Sequence, residues 1–340
     1  MNLNWQEFLG TSGARIDEKG LVVDFGNAED ELAAAHDTTV IAPLTHLGMI
    51  ECTGEEAKTF LHNQLSSDIN HLGVDAAQHS AWCSAKGRML ASFLVFHNGA
   101  DYQLQLSADL VMAILKRLQM FVLRSKVKLN DLSACREFIG LSGPQAEILL
   151  RQASLPVPAL SLETSAFADG KVIRIDATRF EIIVSSEAAV ALWRKLAEGA
   201  RPVGTVVWQW LDIQAGIPLI SEATREEFVP QMVNFDLLGG VSFHKGCYPG
   251  QEVIARTQYL GKVKRHLYHV RATTPIAAGN ALYAPENPEH PCGMVTNAAP
   301  APGGGYAALA VVQEGCVVTG DVALGVPDGP RIEIEREVTF

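Results

Sequence analysis

The sequence predicts an α+β fold of three domains, two mixed units followed by a small C-terminal β-barrel. Three observations lead there. At 340 residues and 48% hydrophobic content, the chain can bury a substantial core but is too long for one small domain. Strand-like and helix-like patterns alternate through the first 261 residues. After residue 262 only short alternating strands remain, broken by Gly, Pro and Asn.

In chain order, "GLVVDFG" (20–26) and "LGMIEC" (47–52) read as short strands. "TGEEAKTFLHNQL" predicts a helix with Thr53 as its N-cap and Glu56 as the capping-box partner, and it places Ala57, Phe60, Leu61 and Leu65 on one face. "HSAWCSAKGRMLASFLVFHNGADYQLQLS" predicts three strands, turning at Lys86-Gly87 and again at Asn98-Gly99. "ADLVMAILKRLQMFVL" is an amphipathic helix with Leu110, Ile114, Leu118 and Phe121 inward, and "SKVKLND" returns as a strand. A second unit follows with "REFIGLSG", the helix "PQAEILLRQA", the linker "LPVPALS", strands at 171–176 and 179–185, and the helix "EAAVALWRKLAEG". A further helix, "VGTVVWQWLDIQAGIP", ends at Gly216 and Pro218. Six short strands then suggest a closed or nearly closed barrel.

The composition narrows function. A net charge of -11 with a pI near 5.4 argues against a general nucleic-acid coat. "GKVKRH" (261–266) with Lys245 and Arg256 is either a local basic patch or an ordinary solvated face. The opening "MNLNWQEFLG" has neither a basic n-region nor an apolar h-region, and no run of about 18 apolar residues occurs, so a soluble cytoplasmic protein with no membrane partner is expected. Six scattered cysteines form no CxxC pair, and ten histidines form no HExxH, so neither a disulfide framework nor a metal site is expected.

One loop carries chemistry. In "HKGCYPGQE" (244–252) Cys247 stands between Lys245 and a Tyr-Pro-Gly turn. Pro249 suits the first position of a helix "GQEVIARTQY", which puts Cys247 just before a helix N-terminus. That positive pole and Lys245 both favour a thiolate, the reactive form of cysteine. A packed, inert thiol beneath a glycine turn is the equal alternative. Lys245, Tyr248 and Gln251 are either ligand contacts or a solvated loop face. Glu252 and Arg256, four apart, either pair on the helix surface or hold a polar ligand.

The segment "GGVSFHKGCYPGQEVIARTQYLGKVKRHL" (239–267) closely resembles the signature of the YgfZ family of folate-binding proteins. "WLDIQAGIPLI", "FVPQMVNFDLLGG", "GEEAKTFLHNQLSSDI", "SAKGRML" and "VLRSKVKL" resemble the same family, and the likeness spans roughly residues 37–320. That family is similar in fold to the aminomethyltransferase of the glycine cleavage system. The resemblance implies three domains around a central opening that holds tetrahydrofolate. It divides the chain into 1–46 with 136–245, an inserted domain at 47–135, the signature helix and linker at 246–261, and the barrel at 262–340.

The resemblance also implies roles. Cys247 becomes a functional thiol with Lys245 beside it, and Tyr248, Gln251, Glu252, Arg256, Gln214 and Asn234 become contacts for tetrahydrofolate or a derivative. Two departures matter. Ala91 and Ser92 stand where the aminomethyltransferase carries an acidic pair, and neither can orient or charge an amine as a carboxylate does, so glycine-cleavage activity is not expected. "DIQAG" has Gln214 where the enzyme has a pterin-binding Glu, which leaves hydrogen bonding without charge. The implied function is a folate-binding accessory role in iron–sulfur enzyme assembly or repair. Its effect on tRNA methylthiolation would be indirect, through radical-enzyme or assembly partners and not through direct tRNA binding. A folate-dependent one-carbon transferase with an unidentified acceptor is the alternative.

Overall fold

The computed structural model describes residues 2–261, 263–286 and 288–340, apart from the Thr319 side chain. Helices alternate with three main sheets. A six-stranded sheet runs in the order Thr164–Phe167, Gly170–Arg174, Arg179–Ser185, Arg136–Ser142, Val40–Pro43, Arg201–Pro202. A five-stranded sheet runs Ala77–Cys83, Met89–Asn98, Asp101–Ser107, Leu47–Thr53, Lys128–Asp131. The C-terminal strands close into a barrel in the order Arg265–Ala272, Tyr306–Gln313, Gly293–Pro300, Ala281–Tyr283, Val322–Leu324, Arg331–Glu337. Closure leaves no free sheet edge for another chain to extend.

By compactness the chain divides into two units, residues 1–57, 72–78 and 94–208 in one, and 58–71, 79–93 and 209–340 in the other. In the first, Ile139, Leu141, Phe180 and Ile182 point from the six-stranded sheet into a core with Trp5 and Trp193, whose rings meet edge-on at 5.5 Å. Each such buried side chain contributes roughly 1.5–3 kcal/mol relative to exposure. The second unit holds the barrel, filled by Val270, Leu282, Val295, Ala310, Val312 and Val322.

The local patterns mostly hold. The hairpin forms, but Asn98 pairs with Asp101, so its two-residue loop is Gly99-Ala100 with Gly99 at φ +64°, a glycine-first turn and not the Asn-Gly one. The helix Thr205–Gln214 stops as expected, with Gly216 at φ +70°. Ala57, Phe60, Leu61 and Leu65 are all buried.

Four expectations need correction. Thr53 is not an N-cap: it ends the strand Leu47–Thr53, and the helix begins at Ala57. Glu56 instead turns its carboxylate to the Lys126 amide, 2.6 Å away, so a nonlocal donor displaces the capping box. Phe121 is 43% exposed, together with its neighbours Met120 and Leu123, because the helix stops at Val122 and its last turn is uncovered. A short helix, Glu314–Thr319, interrupts the barrel strands where no helical pattern is visible in the sequence. Pro249 does not open a helix. It occupies the second position of a turn closed by the Gln251 amide on the Tyr248 carbonyl (3.2 Å), with Gly250 at φ +81° and ψ -1°. That is type II geometry, which takes Pro then Gly. The helix starts at Gln251. Cys247 therefore lies three residues ahead of the Gly250 cap, farther from the helix pole than the sequence suggests.

Candidate functional site

The cysteine loop is fixed at three points. The first is Lys245, whose ammonium donates to the carbonyls of His62 (2.5 Å), Leu65 (2.6 Å) and Ser67 (2.8 Å). These lie at the C-terminal end of the helix Ala57–Gln64, where the last carbonyls have no partners within the helix. The second is Tyr248, 7% exposed, whose ring lies 5.1 Å from the Lys245 ammonium. The third is Gly250, where an added Cβ would come within 2.5 Å of the Ser84 carbonyl. Between these points Cys247 is exposed.

Electrostatics at the loop follow from burial. Burial pulls Lys245 down to about 8 and Asp68 partly opposes it. Burial pushes the Tyr248 phenol up, reinforced by Cys83, and among the described residues its hydroxyl has no hydrogen-bond partner. Asp68 gathers two histidines, His71 Nδ1 at 2.8 Å and His62 Nδ1 at 3.2 Å. Burial alone would raise Asp68, but the His71 and Asn70 hydrogen bonds hold it below the usual carboxylate value. Burial and then the Lys245 charge lower His62. A Cβ on Gly246 would sit 3.7 Å from His62 Nε2, so the residue before Cys247 lies near that ring.

Lys245, Tyr248 and Gln251 are brought together, the last through its side-chain amide on the Lys245 carbonyl at 3.5 Å. Glu252 and Arg256 pair with each other at 3.4 Å on the exposed face of the helix Gln251–Tyr259. Asn234 is buried, adopts φ +57° and gives its amide to the Val338 carbonyl at 2.9 Å. Gln214 is exposed at the end of its helix. Among the described residues no hydrogen bond joins Asn234 or Gln214 to the loop. Of the basic stretch 261–266, Lys262 lies outside the described residues. Ala91 is fully buried, and the Ser92 hydroxyl accepts the Ile220 amide at 2.9 Å.

Sequence reasoning missed His62 and Asp68. Both lie in "GEEAKTFLHNQLSSDI", about 180 residues from Lys245, and no spacing rule connects the two segments. Only the length of the segment's resemblance pointed to it. No described group of three or more His, Cys, Asp or Glu is placed to hold a metal, and no described helix is long and apolar enough to cross a membrane.

Comparison with known proteins places the chain. It superposes on the glycine cleavage system aminomethyltransferase T from Bartonella henselae with a TM-score of 0.82, covering 99% of this chain and 97% of that one at 20% identity. The fold is therefore aminomethyltransferase-like. The GCVT N-terminal domain model matches residues 22–240. Among curated relatives, the tRNA-modifying protein YgfZ of Yersinia pestis (strain Pestoides F) is 30% identical over 260 residues, 76% of each chain. That of Sodalis glossinidius (strain morsitans) is 31% identical over 258 residues, 74% of this chain and 77% of the relative. The chain belongs to the GCVT-domain family and, within it, to the YgfZ proteins.

Proposed function

We propose that the protein is a folate-binding accessory factor in tRNA modification, acting through the Cys247 thiol on a radical iron–sulfur enzyme or its assembly. The observation that carries this reading is an exposed thiol held between the Lys245 tie and the buried Tyr248 ring. A packed structural cysteine needs no such scaffold, whereas a reactive one needs access and a fixed position. The relatives named tRNA-modifying protein YgfZ supply the process.

A folate fits the polar groups available. Gln214 is exposed and offers both an acceptor and donors to an aminopyrimidine edge. The Tyr248 hydroxyl, Ser84 Oγ and Gln231 Oε1 are buried without protein partners among the described residues, so each retains hydrogen-bonding capacity. Gln214 would hold the pterin edge without charge. Tetrahydrofolate, when bound, would supply a reduced pterin able to carry one-carbon units. One-carbon transfer of the aminomethyltransferase type is disfavoured at Ala91 and Ser92, where a buried methyl and an occupied hydroxyl leave no base.

Calorimetry with tetrahydrofolate tests the binding half of the proposal. Micromolar binding by the natural protein, weakened about tenfold by Gln214→Ala, is expected for one lost polar contact. Absence of binding would rule out the folate role.

A further inference from the structure

In the sequence, Lys245 looks like the charge that activates the neighbouring thiol. Its ammonium has a different occupation. It carries three protons and meets three main-chain carbonyls, of His62, Leu65 and Ser67, at 2.5–2.8 Å, so its donor capacity is filled. The acceptors lie where the helix Ala57–Gln64 runs out of partners and presents its negative pole. Leu65 and Ser67 are buried. Their carbonyls would lose a charged donor, with little access to water, if the lysine were removed.

The same contact fixes the turn. With Lys245 anchored, Gly246 runs past the His62 ring, where an added Cβ would lie 3.7 Å from Nε2. The Tyr248 ring covers the ammonium. Cys247 is exposed between the anchored Lys245 and the buried Tyr248.

We propose that Lys245 is a positioning residue. It ties the Cys247 turn to the C-terminal end of the helix Ala57–Gln64 and sets where the thiol stands, and it does not itself touch the ligand. This rests on reading Cys247 as the working thiol. Burial, which lowers the ammonium to about 8, agrees with a desolvated structural tie. Arginine would be a poor substitute, because its planar fork cannot aim three donors from one point.

The test compares the natural protein with Lys245→Met, which keeps the stem and removes the donors, and with Lys245→Arg. Amide hydrogen exchange is followed over 62–68 and 244–251, and N-ethylmaleimide labelling of Cys247 is followed by mass spectrometry, which separates it from the exposed Cys135. Tetrahydrofolate binding is measured alongside. For Lys245→Met, exchange in both segments is expected to rise about tenfold or more, as local opening becomes easier. The rate and pH profile of Cys247 labelling should change with it, and folate affinity should stay within about twofold because no ligand contact is lost. Lys245→Arg should fall between the two.

Unchanged exchange and labelling in Lys245→Met would overturn the proposal. So would lost folate binding with unchanged exchange, which would make Lys245 a ligand contact. Should Lys245→Met fail to fold, Lys245→Arg decides by the same exchange reading, with a rise supporting the tie and no change overturning it. Exchange and labelling need no tRNA or folate turnover, so the tie can fail while the functional reading of Cys247 stands, and the reverse.

Discussion

Gly250 shows how much of the loop depends on a single residue. Its φ of +81° is left-handed, and an added Cβ would lie 2.5 Å from the Ser84 carbonyl and 2.7 Å from the Gly87 Cα. Gly250→Ala therefore pays for both backbone strain and a main-chain clash. Thermal unfolding should show a loss of roughly 2–4 kcal/mol. A loss below about 0.5 kcal/mol, the range of ordinary surface changes, would mean the turn is not built as described. The "YPG" letters announced a turn, but Pro and Gly also punctuate helix starts, and only the neighbouring Ser84–Gly87 backbone selects the turn. Cys247 and Lys245 were legible as candidate site residues. That the ammonium serves distant carbonyls was not, because nothing local in the sequence specifies a partner about 180 residues away.

Secondary elements were legible where one face is buried and opaque at their ends. The helix Ala57–Gln64 was found by its apolar stripe, yet its start was misplaced because Glu56 binds the Lys126 amide, a tertiary partner. The strand Arg136–Ser142 hides a titration that no periodicity reveals. In it, burial pushes Glu137 up to about 7 against hydrogen bonds from the Asn2 amide and the Ser186 hydroxyl. The folded-state value lies above the ordinary 4.5, so the folded chain holds this proton more tightly. The resulting stability is fully present below about 4.5 and is lost as pH rises through about 7. Glu137→Gln keeps the acceptor without the charge. Its stability relative to the natural protein should rise by roughly 1–3 kcal/mol between pH 5 and pH 8 in chemical denaturation. A pH-independent difference would refute the assignment.

At the scale of the molecule, the change of texture after residue 262 announced the barrel, since six short strands with no sustained helical pattern can close but cannot cover a sheet. The six-stranded sheet takes strands from 40–43 and from 136–202, with the five-stranded sheet drawn from 47–131 between them. Composition could not show this interleaving, because strand pairing across about 90 residues is set by packing and not by local propensity. The aminomethyltransferase-like fold holds a buried Ala91 and a hydrogen-bonded Ser92 in the second unit, and the proposed role rests on the Cys247 loop. In a strain lacking the gene, Cys247→Ala should accumulate as folded protein that binds tetrahydrofolate yet fail to restore methylthiolated nucleosides in tRNA, measured by mass spectrometry of digested tRNA. Full restoration of those nucleosides by Cys247→Ala would contradict the role assigned to the thiol.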